Sequence, residues 1–87
     1  MSEDDKKRIT VTIFGQSYKM VGKASTNYMR MVAGMVDEKM KNISEQNPRL
    51  DTTRIAVLTA VNIADEYIRL KQEFDELVKL LEEEEEG

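Results

Sequence analysis

From Asp51 to Glu86 the chain contains neither proline nor glycine, so nothing in that stretch interrupts a helix. Leu50-Asp51-Thr52-Thr53-Arg54-Ile55 reads as its start, with Asp51 a good N-cap and Leu50 able to staple back onto Ile55. At about 1.5 Å per residue, the roughly 34 helical residues make a rod on the order of 50 Å long. A chain of 87 residues has too little apolar surface elsewhere to cover such a rod. Either an apolar helix stays exposed or a second copy covers it.

Ala56, Ala60, Ile63, Tyr67, Leu70, Phe74, Leu77 and Leu81 recur at alternating spacings of four and three, which is a heptad seam. Tyr67, Phe74 and Leu81 take the a sites; Ile63, Leu70 and Leu77 take d. In the first half a second apolar row, Val57, Val61, Ala64 and Ile68, runs beside the seam, so this half is expected to be a core helix. Past Arg69 mostly the seam remains, flanked by Lys71, Glu73, Asp75 and Glu76. Ile63, Tyr67, Leu70, Phe74, Leu77 and Leu81 are therefore the expected oligomerisation residues. Val78 and Leu80 widen the stripe beyond what two strands need, which points to association beyond a dimer at this end. Glu66 at g and Lys71 at e are five apart, the relation that pairs parallel strands.

Ahead of the rod, Ile9-Thr10-Val11-Thr12-Ile13-Phe14 alternates with period two and is expected to be a strand with Ile9, Val11 and Ile13 on one face. Gly15-Gln16 reads as a two-residue turn of type II′, and Ser17–Val21 as the return strand, with Tyr18 and Met20 toward the core. A first helix is expected from Thr26 or Asn27 to Glu45, capped by Ser25 or Thr26. Its stripe is Met29, Val32, Val36, Met40 and Ile43, widened by Tyr28, Met31 and Met35; methionines at this spacing are core packing rather than a cofactor box. Gly34 within that helix marks a place where another backbone comes close. Asn47-Pro48 ends the helix, because a residue before proline is pushed out of the helical region. The fold class is α+β: an N-terminal β-hairpin, one amphipathic helix, then a long C-terminal helix forming an intersubunit coiled coil. The expected divisions are a disordered charged leader over 1–8, a ββα head over 9–68 and a stalk end with an acidic tail over 69–87.

The net charge of −4 conceals an asymmetry. Residues 6–49 hold nine basic and three acidic side chains, a balance of +6, whereas residues from 50 onward hold four basic and eleven acidic, a balance of −7. A basic head on an acidic stalk favours an acidic partner or a polyanion. The candidate contact residues are Lys19, Arg30, Lys39, Lys41, Arg49 and Arg54, of which Lys19, Lys39, Lys41 and Arg49 are expected to face outward.

Catalysis has little to work with. There are no cysteines and no histidines, which removes thiolate zinc sites, disulfides and the usual general base. The four glycines are scattered rather than gathered into a phosphate loop, and Ser17, Ser25 and Ser44 lack a histidine partner. The run Glu82–Glu86 reads as a solvated helix end. No cofactor is expected. The charged N-terminus has no apolar segment behind it and no run approaches a membrane span, so a cytoplasmic protein is expected.

Ile13-Phe14-Gly15-Gln16-Ser17-Tyr18 after a short charged leader resembles the hairpin of the ZapA family of bacterial cell-division proteins. Leu50-Asp51-Thr52 followed by Arg54-Ile55-Ala56-Val57-Leu58-Thr59-Ala60-Val61-Asn62-Ile63-Ala64-Asp65-Glu66 resembles the second-helix signature of that family. The likeness covers nearly the whole chain from Ile9 onward and is to the shorter Gram-positive form. It implies a non-enzymatic regulator at the mid-cell division site that binds filaments of the tubulin-like GTPase FtsZ and bundles them. It also implies a dimeric head on a coiled-coil stalk, with dimers able to pair into tetramers. The family often carries arginine after the hairpin glycine; Gln16 stands there in this chain. The rival readings are a nucleic-acid-binding module using Lys19, Lys23, Arg30, Lys39 and Lys41, disfavoured by the acidic whole and few free aromatics, and a generic coiled-coil scaffold.

Overall fold

The computed structural model describes residues 6–86 and has four elements: strands β1 (Lys7–Ile13) and β2 (Gln16–Gly22), then helices α1 (Thr26–Gln46) and α2 (Thr52–Glu86). The expected α+β order is the observed one. Strand β1 starts two residues before the expected head: Lys7 and Arg8, expected in a disordered leader, pair with Gly22 and Val21. The first five leader residues lie outside the described residues.

The hairpin is antiparallel, with Ile9 opposite Met20, Val11 opposite Tyr18 and Ile13 opposite Gln16. The turn is therefore Phe14-Gly15, not Gly15-Gln16. Both residues have positive φ, 50° and 80°, which fits a type I′ turn rather than type II′. Two physical causes act here. The type I′ twist matches that of the strands, and the Phe14 N–H is caught by the Asp37 carboxylate of α1 at 2.8 Å. Ile9, Val11, Met29 and Ala33 form the core, with Ile13 and Met20 packed against it. Ala33 falls outside the expected stripe; its small side chain lets α1 sit close on β1. Because α1 lies over β1, Tyr18 on the same sheet face is exposed rather than in the core.

Ser25 caps α1, its Oγ accepting the Tyr28 N–H at 3.1 Å. At the other end the Asn47 side-chain amide donates to the Ile43 carbonyl at 2.9 Å, satisfying an otherwise open helix end. Val32, Val36 and Ile43 are half-buried, while Tyr28, Met31 and Met35 lie exposed. Helix α2 begins as expected, with Asp51 Oδ1 accepting the Arg54 N–H at 2.9 Å. Ile55 is wholly buried, and Thr59 is buried beneath its own bond to the Ile55 carbonyl at 2.8 Å. Asn62 and Glu66 continue that face and reach Lys39 of α1.

Within one chain, then, the first half of α2 is not the core helix that its composition implies. Val57 and Val61 are 58% and 61% exposed. Only one flank of α2, Ile55-Thr59-Asn62-Glu66, turns toward α1. The radius of gyration is 18.0 Å, against about 12 Å for a compact chain of this length. The accessible surface is 7507 Å², against about 5,200 Å² for a compact monomer of the same mass.

Candidate functional site

The heptad seam is open along its length. Tyr67, Leu70 and Phe74 are 64%, 66% and 63% exposed, Leu77 and Leu81 are likewise exposed, and Ile63 alone is half-buried. In heptad terms, Ile55 and Asn62 are c positions, and Thr59 and Glu66 are g positions, so α1 occupies the c/g flank. The a and d positions and the e flank are left uncovered. Burying one large apolar side chain is worth about 1.5–3 kcal/mol, so this row is a strong drive to associate.

Glu66 does not wait for Lys71 of another strand. Its carboxylate pairs with the Lys39 ammonium at 2.5 Å, and Lys39 also donates to Asn62 Oδ1 at 3.2 Å. An intersubunit Glu66–Lys71 pair in parallel stalks would have to share the Glu66 carboxylate with this internal pair. Asp65 likewise is taken by Arg69 four residues on, at 3.1 Å.

The six candidate head cations do not form one patch. Lys19 stands on the outer face of the hairpin, opposite Thr10 and beside a shallow groove shared with Arg8 and Val21. Arg30 lies near it, against Thr10, Val11 and Thr12 at the open edge of β1. Arg49, in the loop before α2, and Arg54, in its first turn, are exposed at the other end of α1, about 24 Å from Arg30 along the helix axis. Lys41 faces outward as expected, its ammonium 2.9 Å from Asp37 one turn earlier on the same helix, whereas Lys39 is drawn in against α2 by Glu66 and Asn62. Lys19, Arg30, Arg49 and Arg54 make no ion pair among the described residues.

Asp37 is the polar residue that sequence reasoning misses. The helical period puts it on the solvent face of α1, yet it ties the hairpin turn to the helix across 23 residues. The hydrogen bond from the Phe14 N–H and then the Lys41 ammonium hold its carboxyl below the usual carboxylate range. No local pattern announces such a contact.

Among the described residues, no group of three or more histidine, cysteine, aspartate or glutamate side chains is placed to hold a metal ion. No described helix is long and apolar enough to cross a membrane.

A basic ββα head joined to an open heptad helix has counterparts among known proteins. Residues 9–86 match the family described as "Cell division protein ZapA". The chain belongs to the ZapA family. The ZapA of Geobacillus sp. (strain WCH70) is 51% identical over 84 residues, covering 97% of both proteins. That of Bacillus mycoides (strain KBAB4) is 53% identical over 73 residues, covering 84% of this chain and 82% of the relative. A solved structure described as "ZapA mutant dimer from Geobacillus stearothermophilus" superposes with a TM-score of 0.73 at 48% identity, covering 94% of this chain and 95% of that one. A dimeric ZapA of this likeness supports self-association here.

Proposed function

We propose that this ZapA-family chain binds filaments of FtsZ, the tubulin-like GTPase, and bridges them into bundles at the mid-cell division site in the cytoplasm. It does so without catalysis or cofactor. The observation that carries the reading is the open seam of α2 on a chain of this family. A particle that bridges two filaments needs at least two heads, and a coiled coil through Ile63, Tyr67, Leu70, Phe74, Leu77 and Leu81 provides them. The wide stripe Leu77, Val78, Leu80 and Leu81 allows dimers to join further. Lys19, Arg30, Arg49 and Arg54, which make no ion pair among the described residues, supply the attraction to an acidic filament surface. Lys39 and Lys41 contribute to the positive field while remaining in their internal pairs.

Co-sedimentation with polymerised FtsZ tests this. The parent chain should pellet with polymer and bundle it. Leu77→Glu should bind weakly and fail to bundle, since valency is lost. Joint reversal of Lys19, Arg30, Arg49 and Arg54 to Glu should abolish binding while helicity and particle mass are kept. Undiminished bundling by the quadruple variant sinks the head-contact reading. Binding to duplex DNA that falls steeply with salt, with none to FtsZ, would favour the nucleic-acid rival instead.

A further inference from the structure

One edge of the hairpin is unused within the chain. When a two-residue turn closes a hairpin, the residues flanking it form a hydrogen-bonded pair, and such pairs then recur at every second position. Here they are Ile13–Gln16, Val11–Tyr18 and Ile9–Met20. The N–H and C=O groups of Thr10 and Thr12 therefore point away from β2, toward the open side of a two-stranded sheet. Among the described residues no other backbone group bonds to them. Phe14, next in this series, differs: its N–H is satisfied by the Asp37 carboxylate.

Helix α1 walls this edge. Thr10, Val11 and Thr12 line a groove with Arg30, Ala33 and Gly34. Gly34 is exposed and has no positive φ, and a Cβ there would meet nothing within 4 Å. A mid-helix glycine costs about 1 kcal/mol relative to alanine, and no contact within the chain uses the space it leaves. Its effect is to keep the groove open beside the unpaired strand. Arg30, one turn earlier, is exposed and makes no ion pair among the described residues. Two copies joined edge to edge about Thr10 would set their Arg30 side chains against each other, whereas an acidic segment neutralises that cation.

We propose that an extended acidic segment of the partner protein adds to β1 as a third strand, bonding to the Thr10 and Thr12 backbone, with a carboxylate on Arg30 and a small residue at Gly34. Such strand addition draws affinity from the main chain and specificity from alternate side chains. The inference rests on the head-contact reading and names how the head holds its acidic partner.

Polymerised FtsZ is the probe. Gly34→Leu fills the groove with a better helix former, so the fold is kept, which helicity and particle mass check. It should weaken co-sedimentation with FtsZ at least tenfold, and Arg30→Glu should weaken it too. When the parent is bound to FtsZ, its Thr10 and Thr12 amides should exchange hydrogen at least tenfold more slowly than in the free protein, read by quenched exchange and NMR. Should Gly34→Leu change helicity or mass, this measurement on the parent decides alone. If the parent binds but these amides exchange as before, or an intact Gly34→Leu binds as tightly, strand addition is wrong and the head-contact reading stands. Amides already slow in the free parent that quicken on dilution assign the edge to a second copy and overturn the inference. A parent that does not bind FtsZ overturns both.

Discussion

Among the described residues Ile55 is the one large side chain with no exposure at all, and it lies on the flank of α2 that turns toward α1. Replacing it with alanine removes three carbons, about 2.4 kcal/mol of transfer free energy at about 0.8 kcal/mol each. Thr59, bonded to the Ile55 carbonyl, is anchored in the same helix and closes the space only in part, so a cavity term raises the loss to about 3 kcal/mol. For a chain of this length the unfolding entropy is about 0.18 kcal/mol per kelvin, and the melting point should fall by about 15 °C. Ile55→Val, which removes one carbon, should cost about 1 kcal/mol. Urea unfolding followed by circular dichroism measures both losses, at one protomer concentration because association contributes to apparent stability. A loss below about 1 kcal/mol for Ile55→Ala, or no difference between the two variants, would show that the side chain is not packed as described.

Three further outcomes follow from the head. Gly15→Ala places a side chain at φ 80° with open space around it, so backbone strain alone should cost about 1–2 kcal/mol, read from the urea midpoint. Gly34 sits mid-helix, and a methyl group at its Cβ position would meet nothing within 4 Å, contrary to the expectation that another backbone approaches it within the chain. Gly34→Ala should therefore stabilise by about 1 kcal/mol, and a fall in particle mass instead would reveal a close contact made by a second copy. Asp37→Asn should loosen the hairpin turn, seen as faster hydrogen exchange at the Phe14 amide. The Asp37 carboxyl has a lowered pKa when folded, so its stabilisation is complete above the ordinary carboxylate value of about 4 and is lost as pH falls through the folded value. The parent should lose that increment on acidification, and the Asn variant should lack it at every pH.

Periodicity and capping signals are enough to read the four elements, because they are written in residues a few positions apart. Asp51, Ser25 and Pro48 act on their own neighbours, and the 35-residue length of α2 follows from the absence of any breaker. The alternation of Ile9, Val11 and Ile13 likewise names its own buried face. The seam is legible for the same reason: a heptad is a one-dimensional pattern. What the pattern leaves open is which neighbour meets which face. Ala33 rather than a larger residue makes the close approach to β1, and Tyr18 stays exposed, because α1 lies across one strand and not both. The Asp37–Lys41 pair is a local one, four apart on one helix, but in the sequence Lys39 is indistinguishable from a free surface charge; the fold brings Glu66 beside it. Asp37 and Phe14 meet only because the hairpin lies against the middle of α1, a contact with no trace in the spacing of either segment. Interactions local in the chain are encoded locally, whereas the pairing of distant polar groups depends on the relative placement of whole elements, and only the tertiary fold sets that.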